Sequence, residues 1–501
     1  MTVRLDGHSL SIDDVVRVAR EGELVEVTDE SRTRMESSRT LIEERLREGV
    51  AVYGVNTGFG RFSDVVIGDQ DLALLQRHLI VSCCVGVGEP FAVEVVRAML
   101  LLRANSLAAG DSGVRPLIVD GLVAMLDRGV HPIVPRKGSV GASGDLAPLA
   151  HLALVLMGEG RALYGGEVMD GATALQRAGI PPVILAAKEG LSLCNGTQAM
   201  TALGALAVHD AQRLADTADI VGAMSAEALR AVVAAFDERI HRSRPHEGQL
   251  TSARHLRRLL SDSPAIEESA HARVQDAYAL RCMPQVHGAS RDAIGYVRGV
   301  VEMEMNSVTD NPLVYPDEGD VLSGGNFHGQ PVALAMDFLG IALAELASIS
   351  ERRTERLLNP ALNMGLPAFL TEAGGLNDGL MVAQYTAAAL VSENKGLAHP
   401  ASVDSIPTCA SQEDHVSMGT IAARQAREIL GNAQVVLAIE LLCVCQALDL
   451  REFAPGPRTG AAYALLRERV AVLRDDRELH GDIERAAALV RSGALLAALR
   501  D

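Results

Sequence analysis

From about residue 190 onward, apolar residues recur at helical spacing over stretches longer than the usual helix of a globular protein. The clearest stretches are 201–236, 330–358 and 418–450. In the second stretch, the apolar positions at mostly helical spacing are Ala333, Met336, Leu339, Ile341 and Leu343. Such stretches predict long helices that pack into a bundle with a buried apolar core.

The first third of the chain has a different pattern. Shorter helical patterns alternate there with glycine-rich turns, including YGVNTGFGRF, GDSGVRP and GVHPIVPRKGSVGASG. Strand patterns are short and few, and no internal repeat is found. Polar turns on a rigid scaffold are where functional residues tend to lie, so these turns are the first places to search for chemistry.

Composition narrows the function classes. The 501 residues are 48% hydrophobic, and Lys+Arg 46 against Asp+Glu 64 gives a net charge of -18, which argues against nucleic-acid binding through a basic field. The N-terminus has no apolar signal segment, and the most apolar run, 435–448, is too short for a bilayer and carries Glu440. The seven scattered cysteines lack zinc-site spacing and predict free thiols in a cytoplasmic protein.

The segment 138–149, GSVGASGDLAPL, raises four interpretations. As a phosphate-binding loop, the segment lacks the expected glycine pattern. As the site of a nucleophilic serine, it has no His and Asp partner that the sequence can assign. A structural turn would use Asp145 as a helix N-cap. In the fourth, the Gly144 nitrogen attacks the Ala142 carbonyl carbon, and loss of water, including the Ser143 hydroxyl, leaves a five-membered ring with an exocyclic methylene. Small residues suit such a compressed loop.

The segment GSVGASGDLAPLAH resembles the signature of the aromatic amino acid ammonia-lyase family. The resemblance continues in the family's order from about residue 10 to 455, through YGVNTGFG, LQRHLI, KEGLSLCNGTQA, RPHEGQ, QDAYALRCMPQVHGA, DNPL, SGGNFHGQP, SERR, SENK, HPASVDSIPT and SQEDHVSM. It implies that Ala142, Ser143 and Gly144 form 4-methylidene-imidazol-5-one autocatalytically. It implies no metal or external cofactor.

The resemblance also implies roles for residues in these motifs. Tyr53 corresponds to the base that removes the β-proton, a task for which a tyrosine needs a lowered pKa or a field that stabilises its anion. Asn195 corresponds to the residue that supports the prosthetic ring and its developing oxyanion. Arg281 corresponds to the clamp on the substrate carboxylate, and Tyr278 to a catalytic residue near the amine.

Further residues are expected to contact the substrate. Gln275, Tyr278 and Arg281 lie three apart, which on helical or turn backbone places them on one side. Phe327 resembles a wall over the substrate and prosthetic group. Glu413 resembles an acidic residue near the substrate side chain or amine.

Substrate choice in the family follows a residue pair that is Ser82-Cys83 in this chain. Ser82 agrees with the histidine group, whereas Cys83 replaces that group's histidine with a smaller, weakly polar thiol. L-Histidine, converted to urocanate, is the first substrate expected. The alternative is a lyase or 2,3-aminomutase acting on tyrosine, phenylalanine or an unusual amino acid. An inactive helical scaffold is the remote alternative.

The resemblance implies a mainly α fold, a long-helix bundle core with a smaller N-terminal α+β region that carries the prosthetic-group loop. We expect the N-terminal region at 1–190 and the long-helix bundle with C-terminal helices at 191–501. The family further implies a homotetramer with shared active sites. A small-molecule amino acid is the expected partner, without nucleic acid or membrane, in the cytoplasm.

Overall fold

The computed structural model describes residues 2–268, 273–451 and 454–499. Contacts divide the chain into two compact units, each assembled from three segments. Unit 1 comprises Met1–His209, Arg298–Asp337 and Pro400–Arg424, and unit 2 comprises Asp210–Val297, Phe338–His399 and Gln425–Asp501. The sequence predicted one boundary, at residue 190, whereas each unit combines three segments that alternate along the chain.

Helices dominate the described residues, as the apolar periodicity predicted. Their bounds are α1 (Ile12–Val16), α2 (Asp29–Arg47), α3 (Leu72–Cys83), α4 (Val93–Ala108), α5 (Pro116–Asp127), α6 (Leu146–Leu156), α7 (Gly171–Ala178), α8 (Glu189–Cys194), α9 (Gln198–Ala228), α10 (Glu238–Arg242), α11 (Glu247–Leu260), α12 (Pro264–Glu268), α13 (Tyr278–Arg281), α14 (Met283–Met305), α15 (Gln330–Leu358), α16 (Met381–Leu397), α17 (Gly419–Asp449), α18 (Pro457–Arg467), α19 (His480–Ser492) and α20 (Ala494–Ala497).

The three long stretches predicted from periodicity correspond to α9, α15 and α17. Helices α15 and α17 match the predicted bounds within one residue, whereas α9 ends at Ala228 and not at residue 236. The backbone turns left-handed at Arg230, with φ 54°. The Arg451 guanidinium donates from Nε and Nη2 to the Ala228 carbonyl at 3.0 and 2.8 Å, so the helix end is satisfied without further turns.

Strands are short, and those described lie in unit 1. They are β1 (Val3–Leu5), β2 (Val25–Val27), β3 (Val87–Pro90), β4 (His131–Pro132), β5 (Pro135–Lys137), β6 (Arg161–Tyr164), β7 (Glu167–Asp170), β8 (Leu313–Tyr315) and β9 (Asp320–Leu322). Strands β1 and β2 pair in parallel, with Val3 opposite Val25, whereas the other pairs β3–β5, β4–β6, β6–β7 and β8–β9 are antiparallel. The mainly α fold with a smaller α+β N-terminal region is confirmed.

Local signals set the ends of the unit 1 helices. The Thr28 side chain caps α2 by accepting from the Ser31 N–H, and acidic residues in its first turn and arginines in its last complement the helix dipole. Helix α4 packs on α5 and is buried along nearly its whole length. Its buried polar residues include Arg103, whose side chain is 1% exposed. A guanidinium so deep in a helical core needs several partners, and these lie at the site described below.

The core of unit 2 contains a fully buried ion pair within regular helices. Arg353 on α15 donates from Nε to Glu440 on α17 at 2.6 Å, and both side chains are 0% exposed. Ser225 and Ser350 each donate to one Glu440 oxygen at 2.6 Å. Every carboxylate oxygen is thus hydrogen-bonded, which is the condition for burying such a charge at tolerable cost.

Two described helices, α15 and α17, are long and apolar enough to cross a membrane by length and composition alone. The run 435–448 therefore continues within a longer helix than its own length indicates. The most apolar 18-residue windows of α15 and α17 are 67% and 78% buried inside the protein. Core helices pass the same test of length and composition, and this burial matches the predicted bundle role.

Candidate active site

The backbone on both sides of Ala142 is left-handed. Ser143 has φ 49°, Gly141 has φ 83° and Gly144 has φ 79°. A Cβ on Gly144 would lie 2.1 Å from the Gly196 carbonyl oxygen, and one on Gly141 would lie 2.2 Å from the Ser417 hydroxyl oxygen. Both positions therefore require glycine for space as well as for backbone conformation.

Gly196 holds this loop from the other side. Its N–H donates to the Ser143 carbonyl at 3.1 Å, and its carbonyl accepts from the Asp145 N–H at 2.6 Å. Within the described residues the Gly144 N–H makes no hydrogen bond. The nitrogen that would attack Ala142 is thus free while the residues on either side of it are held, and this arrangement fits ring closure across Ala142-Ser143-Gly144.

Asp145 occupies the N-cap position of α6, but its side chain makes no capping bond there. Asp145 thus has the N-cap position that the structural-turn interpretation gave it, and its carbonyl accepts from the Leu149 N–H at 3.1 Å, but its side chain does not cap the helix. Its carboxylate instead accepts from the Met200 N–H in the first turn of α9 at 2.8 Å and from the Thr420 hydroxyl. Complete burial raises the pKa of Asp145 to about 6, although these hydrogen bonds favour the anion.

A cavity of about 460 Å³ in unit 1 brings five of the predicted site residues together. Its lining comprises Tyr53, Gly60, Ser63, Asp64, Ser143, Leu191, Asn195, Asn311, Ser323, Gly324, Phe327, Gln412 and Glu413. Volume and polarity suit a small polar ligand. Ser63, Asp64 and Ser323 received no role from the sequence, although Ser63 and Asp64 directly follow the tyrosine motif and Ser323 lies in SGGNFHG.

Tyr53 is held by its own loop. The Gly60 N–H donates to the Tyr53 hydroxyl oxygen at 3.2 Å, a bond that favours the phenolate. Burial nevertheless raises the pKa of Tyr53 above its ordinary value, and the negative field of Glu413 adds to this rise. These groups therefore do not supply the lowered pKa that a base needs.

The Glu413 carboxylate connects Ser143, in the Ala142-Ser143-Gly144 loop, to the turn at residues 408–413. Its Oε1 accepts from the Ser143 hydroxyl at 3.2 Å, and its Oε2 accepts from the Thr408 hydroxyl at 2.7 Å. The intervening turn is left-handed at three successive non-glycine residues, Cys409, Ala410 and Ser411. Such backbone is costly and is kept mainly where the surrounding structure holds it, often at functional sites.

The selectivity pair lies at the end of α3 and does not line this cavity directly. Ser82 is exposed, and its hydroxyl donates to the Leu79 carbonyl at 3.0 Å. Cys83 is half-buried. A hydrogen bond with the Cys194 thiol lowers the pKa of Cys83, and the same contact raises the pKa of Cys194. The Cys83 thiol therefore lies beside the residue that precedes Asn195 in the chain.

Gln275, Tyr278 and Arg281 lie in unit 2. Helix α13 spans Tyr278–Arg281, and Gln275 precedes it on irregular backbone. The Arg281 guanidinium carbon lies 4.7 Å from the centre of the Tyr278 ring, so these two side chains share a side as the spacing predicted. The Arg281 Nε is buried without a hydrogen-bond partner among the described residues, which leaves this guanidinium with a donor for an anion.

No group of three or more His, Cys, Asp or Glu side chains that could hold a metal occurs in the part of the chain that the structure describes. The seven cysteines are free thiols. The groups available for chemistry at the cavity include Ser143 of the Ala-Ser-Gly loop, one tyrosine, two asparagines and two carboxylates, namely Tyr53, Asn195, Asn311, Asp64 and Glu413.

The family described as aromatic amino acid lyase has a sequence model that matches residues 10–468. A histidine ammonia-lyase from Caldanaerobacter subterraneus subsp. tengcongensis is 56% identical over 500 residues, covering 100% of this chain and 98% of the relative. A histidine ammonia-lyase from Gloeobacter violaceus is 59% identical over 497 residues, covering 99% and 97%.

Solved structures have the same fold. A histidine ammonia-lyase from Trypanosoma cruzi superposes with a TM-score of 0.93 at 45% identity, covering 100% of this chain and 95% of that one. A tyrosine aminomutase from Streptomyces globisporus superposes with a TM-score of 0.95 at 40% identity, covering 99% and 98%. The fold is thus shared by enzymes whose names record different amino acids and different reactions.

Proposed function

This chain belongs to the aromatic amino acid lyase family, and we propose that it eliminates ammonia from L-histidine to give urocanate. The observation that carries the proposal is Ser143, on backbone that is left-handed at Gly141, Ser143 and Gly144, lining a polar cavity with Tyr53 and Glu413. The identity of more than half the residues to histidine ammonia-lyases, over the whole chain, supports histidine as the substrate.

The prosthetic group is part of this proposal. Ala142, Ser143 and Gly144 would form 4-methylidene-imidazol-5-one, whose electrophilic methylidene makes the substrate amino group a better leaving group. The free Gly144 N–H, the glycine-only positions and the clamp from Gly196 support its formation in this loop. No external cofactor enters the proposal.

The chain's own residues would orient the substrate and move one proton. Tyr53 would take the β-proton, and Arg281 would bind the carboxylate through its guanidinium. Glu413 would accept from the imidazole or the amino group. A substrate ammonium near Tyr53 would lower the phenol's pKa, opposing the rise caused by burial. Loss of the β-proton and ammonia then leaves the unsaturated acid.

A second function is favoured by two observations. Cys83 departs from the pair typical of the histidine group, and tyrosine aminomutase structures superpose as closely as the histidine enzyme. An aminomutase would hold the unsaturated acid until ammonia adds again at the β-carbon, a difference that depends on retention of the intermediate. Tyrosine or phenylalanine would then be the substrate.

We further propose a cytoplasmic homotetramer with shared active sites. Large apolar side chains remain exposed on the long helices of unit 2, among them Tyr296, Phe338 and Ile341, which are 58%, 43% and 45% exposed. An exposed apolar face on bundle helices favours association with other copies. Location in the cytoplasm agrees with the free thiols.

The test is proton NMR of the purified protein with L-histidine, alongside the intact mass of the denatured chain. We expect urocanate to appear, the histidine α-proton signal to disappear, and a mass deficit of two waters that Ser143→Ala abolishes. A mass deficit without conversion of histidine would indicate tyrosine or phenylalanine as the substrate. Formation of their β-amino isomers would identify an aminomutase. Absence of the deficit would contradict the proposed chemistry and favour an inactive scaffold.

A further inference from the structure

The orientation of the Asn195 side-chain amide is set by its hydrogen bonds inside the chain. Its Nδ2 donates to the Asp310 Oδ1 and to the Asn311 carbonyl, each at 3.2 Å. A primary amide has two N–H hydrogens, so both are committed. Asn195 lines the cavity, and its Oδ1 is the polar side-chain atom left to bind a ligand there.

Asp310, which receives one of these bonds, is itself held firmly. Its Oδ2 accepts from the Lys188 Nζ at 2.8 Å and from the Ser192 hydroxyl at 2.9 Å, and its Oδ1 also accepts from the Asn311 N–H at 2.7 Å. Lys188 and Asp310 are both 0% exposed. A carboxylate with every oxygen engaged in a dry interior keeps one orientation.

The ion pair also keeps this carboxylate charged. Burial alone would raise the pKa of Asp310, but the neighbouring positive charges of Lys188 and Arg103 lower it below the ordinary range. Arg103 additionally donates to the Asn195 backbone carbonyl at 2.8 Å. The main chain and the side chain of Asn195 are thus fixed by the same buried charges.

A charged acceptor at this place decides which end of the amide faces the ligand. Rotating the amide by half a turn would bring the Asn195 Oδ1 against the Asp310 carboxylate, two acceptors without a hydrogen between them. Such a buried contact loses a hydrogen bond and adds repulsion. The amide therefore offers the cavity an acceptor.

We propose that Asp310, held by Lys188, is a positioning residue that orients Asn195 to accept a hydrogen bond from the N–H of a ligand's amino group. The inference rests on the proposed function, because it assigns the bound amine of an amino acid as the donor. The donor role toward an oxyanion, expected for Asn195 from the family resemblance, would need the opposite orientation.

The test uses Asp310→Asn, which keeps the shape but replaces an obligatory acceptor with an amide that also donates. The Asn195 amide is then free to turn. We expect the KM for L-histidine to rise about 10- to 100-fold, the size of one hydrogen bond to a charged group. The inhibition constant of urocanate, which has no amino group, should change less than about 2-fold.

Lys188→Met combined with Asp310→Asn separates this effect from stability. The double variant removes both buried charges, so its unfolding temperature should recover toward that of the wild type. Its KM for histidine should stay as high as in Asp310→Asn. The proposal would be overturned if the double variant recovered the wild-type KM together with stability. It would also be overturned if Asp310→Asn weakened the binding of histidine and of urocanate equally.

Two readouts keep this inference apart from the proposed function. The intact mass should show the two-water deficit in Asp310→Asn, because the hydrogen bonds of Asp310 within the described residues go to Lys188, Ser192, Asn195 and Asn311 and not to residues 142–144. A high-resolution crystal structure of the wild type should place Nδ2 toward Asp310 even if another amino acid proves to be the substrate. Nδ2 facing the cavity would refute the inference, whereas failure of all three amino acids would refute the function.

Discussion

The two units bury charge in different ways. In unit 2, Arg353 and Glu440 lie on uninterrupted stretches of α15 and α17, and serine hydroxyls complete the hydrogen bonding of the carboxylate. In unit 1, Lys188 and Asp310 are equally buried, but they support Asn195, a side chain that lines a cavity. Burial of charge alone does not identify a functional site. A ligand is indicated where a buried network ends on a group that faces a cavity.

The backbone that carries the two buried ion pairs differs as well. Around the unit 1 cavity, non-glycine residues adopt left-handed conformations, including Ser143, Lys188 and Cys409. Each such residue costs on the order of 1 kcal/mol or more. The buried ion pair of unit 2 lies within regular helix and carries no such cost. The ion pair of unit 1 thus includes a residue with left-handed backbone, Lys188, whereas both members of the unit 2 pair lie in regular helix.

Two tyrosine hydroxyls, one in each unit, give the largest contrast. Tyr53→Phe should lower kcat about 10²- to 10⁴-fold, the range for loss of a general base, with little change in unfolding temperature. Tyr463 donates to Asp449 in unit 2, and Tyr463→Phe should lower the free energy of unfolding by about 1 kcal/mol without changing kcat. Steady-state kinetics and thermal unfolding of both variants make the measurement.

The comparison would fail if Tyr53→Phe kept wild-type kcat or if Tyr463→Phe lost activity while folded. The pH profile adds a second criterion. Burial raises the pKa of Tyr53, so its deprotonated fraction should grow mainly in the alkaline range. Wild-type kcat/KM should therefore increase through that range until the protein unfolds. A profile that declines from neutral pH upward would argue against a Tyr53 base.

The buried ion pair of unit 2 should act on stability and not on chemistry. Arg353→Met leaves Glu440 charged without its partner and should lower the free energy of unfolding by about 3–5 kcal/mol. Arg353→Met with Glu440→Leu removes both charges and should recover most of that loss. Denaturant unfolding measures both. A double variant no more stable than the single one would show that the pair itself stabilises the bundle.

Much of the fold could be predicted from periodicity because long amphipathic helices are a local property. The bounds of α15 and α17 follow from their apolar repeats, whereas the end of α9 does not. That end depends on Arg451, which lies far along the chain and satisfies the last carbonyl. The alternation of the two units along the chain could not be predicted either, because no change in composition marks the boundaries between them.

The site was predicted less completely. Motif resemblance found Tyr53, Ser143, Asn195, Phe327 and Glu413, which line one cavity, while their chemical roles remain predictions. The family resemblance includes the segments KEGLSLCNGTQA and DNPL, but it implies no role for Lys188 or Asp310. The reason is physical, because a pairing between residues 188 and 310 has no local signature in the sequence.

Two buried aspartates should titrate with opposite effects on stability. The folded pKa of Asp145 is raised to about 6, so from about pH 4 to 6 the folded state binds more protons and stability falls as pH rises. Burial opposes ionisation of Asp219 too, but Arg291 and two histidines lower its pKa. Its contribution is therefore complete above about pH 4 and is lost as pH falls further.

Unfolding free energies of Asp145→Asn and Asp219→Asn across this pH range test the difference. The stability of wild type relative to Asp145→Asn should decrease by about 2–3 kcal/mol between pH 4 and 6. Wild type relative to Asp219→Asn should lose its advantage only below about pH 4. Parallel curves for the two variants would contradict the opposite shifts and with them the contrast between the two buried sites.

The smallest expected effect concerns two thiols. Cys83 contacts the Cys194 thiol beside the unit 1 cavity, whereas Cys443 is buried in α17. Cys83 does not line the cavity itself but contacts Cys194, the residue before Asn195, so Cys83→Ala should change the ratio of kcat/KM for L-histidine over L-phenylalanine by about 10-fold, the low end of the range for one altered group at a pocket. Cys443→Ala should leave that ratio unchanged and lower the free energy of unfolding by about 1 kcal/mol.

Competition assays with both amino acids give the ratio directly and do not depend on the active fraction of enzyme. An unchanged ratio in Cys83→Ala would mean that this thiol does not contribute to selectivity, and the departure from the family's usual pair would then be without effect. A changed ratio in Cys443→Ala would mean that packing within α17 reaches the chemistry. Either result would remove the separation between a reactive region and a structural one on which the comparison depends.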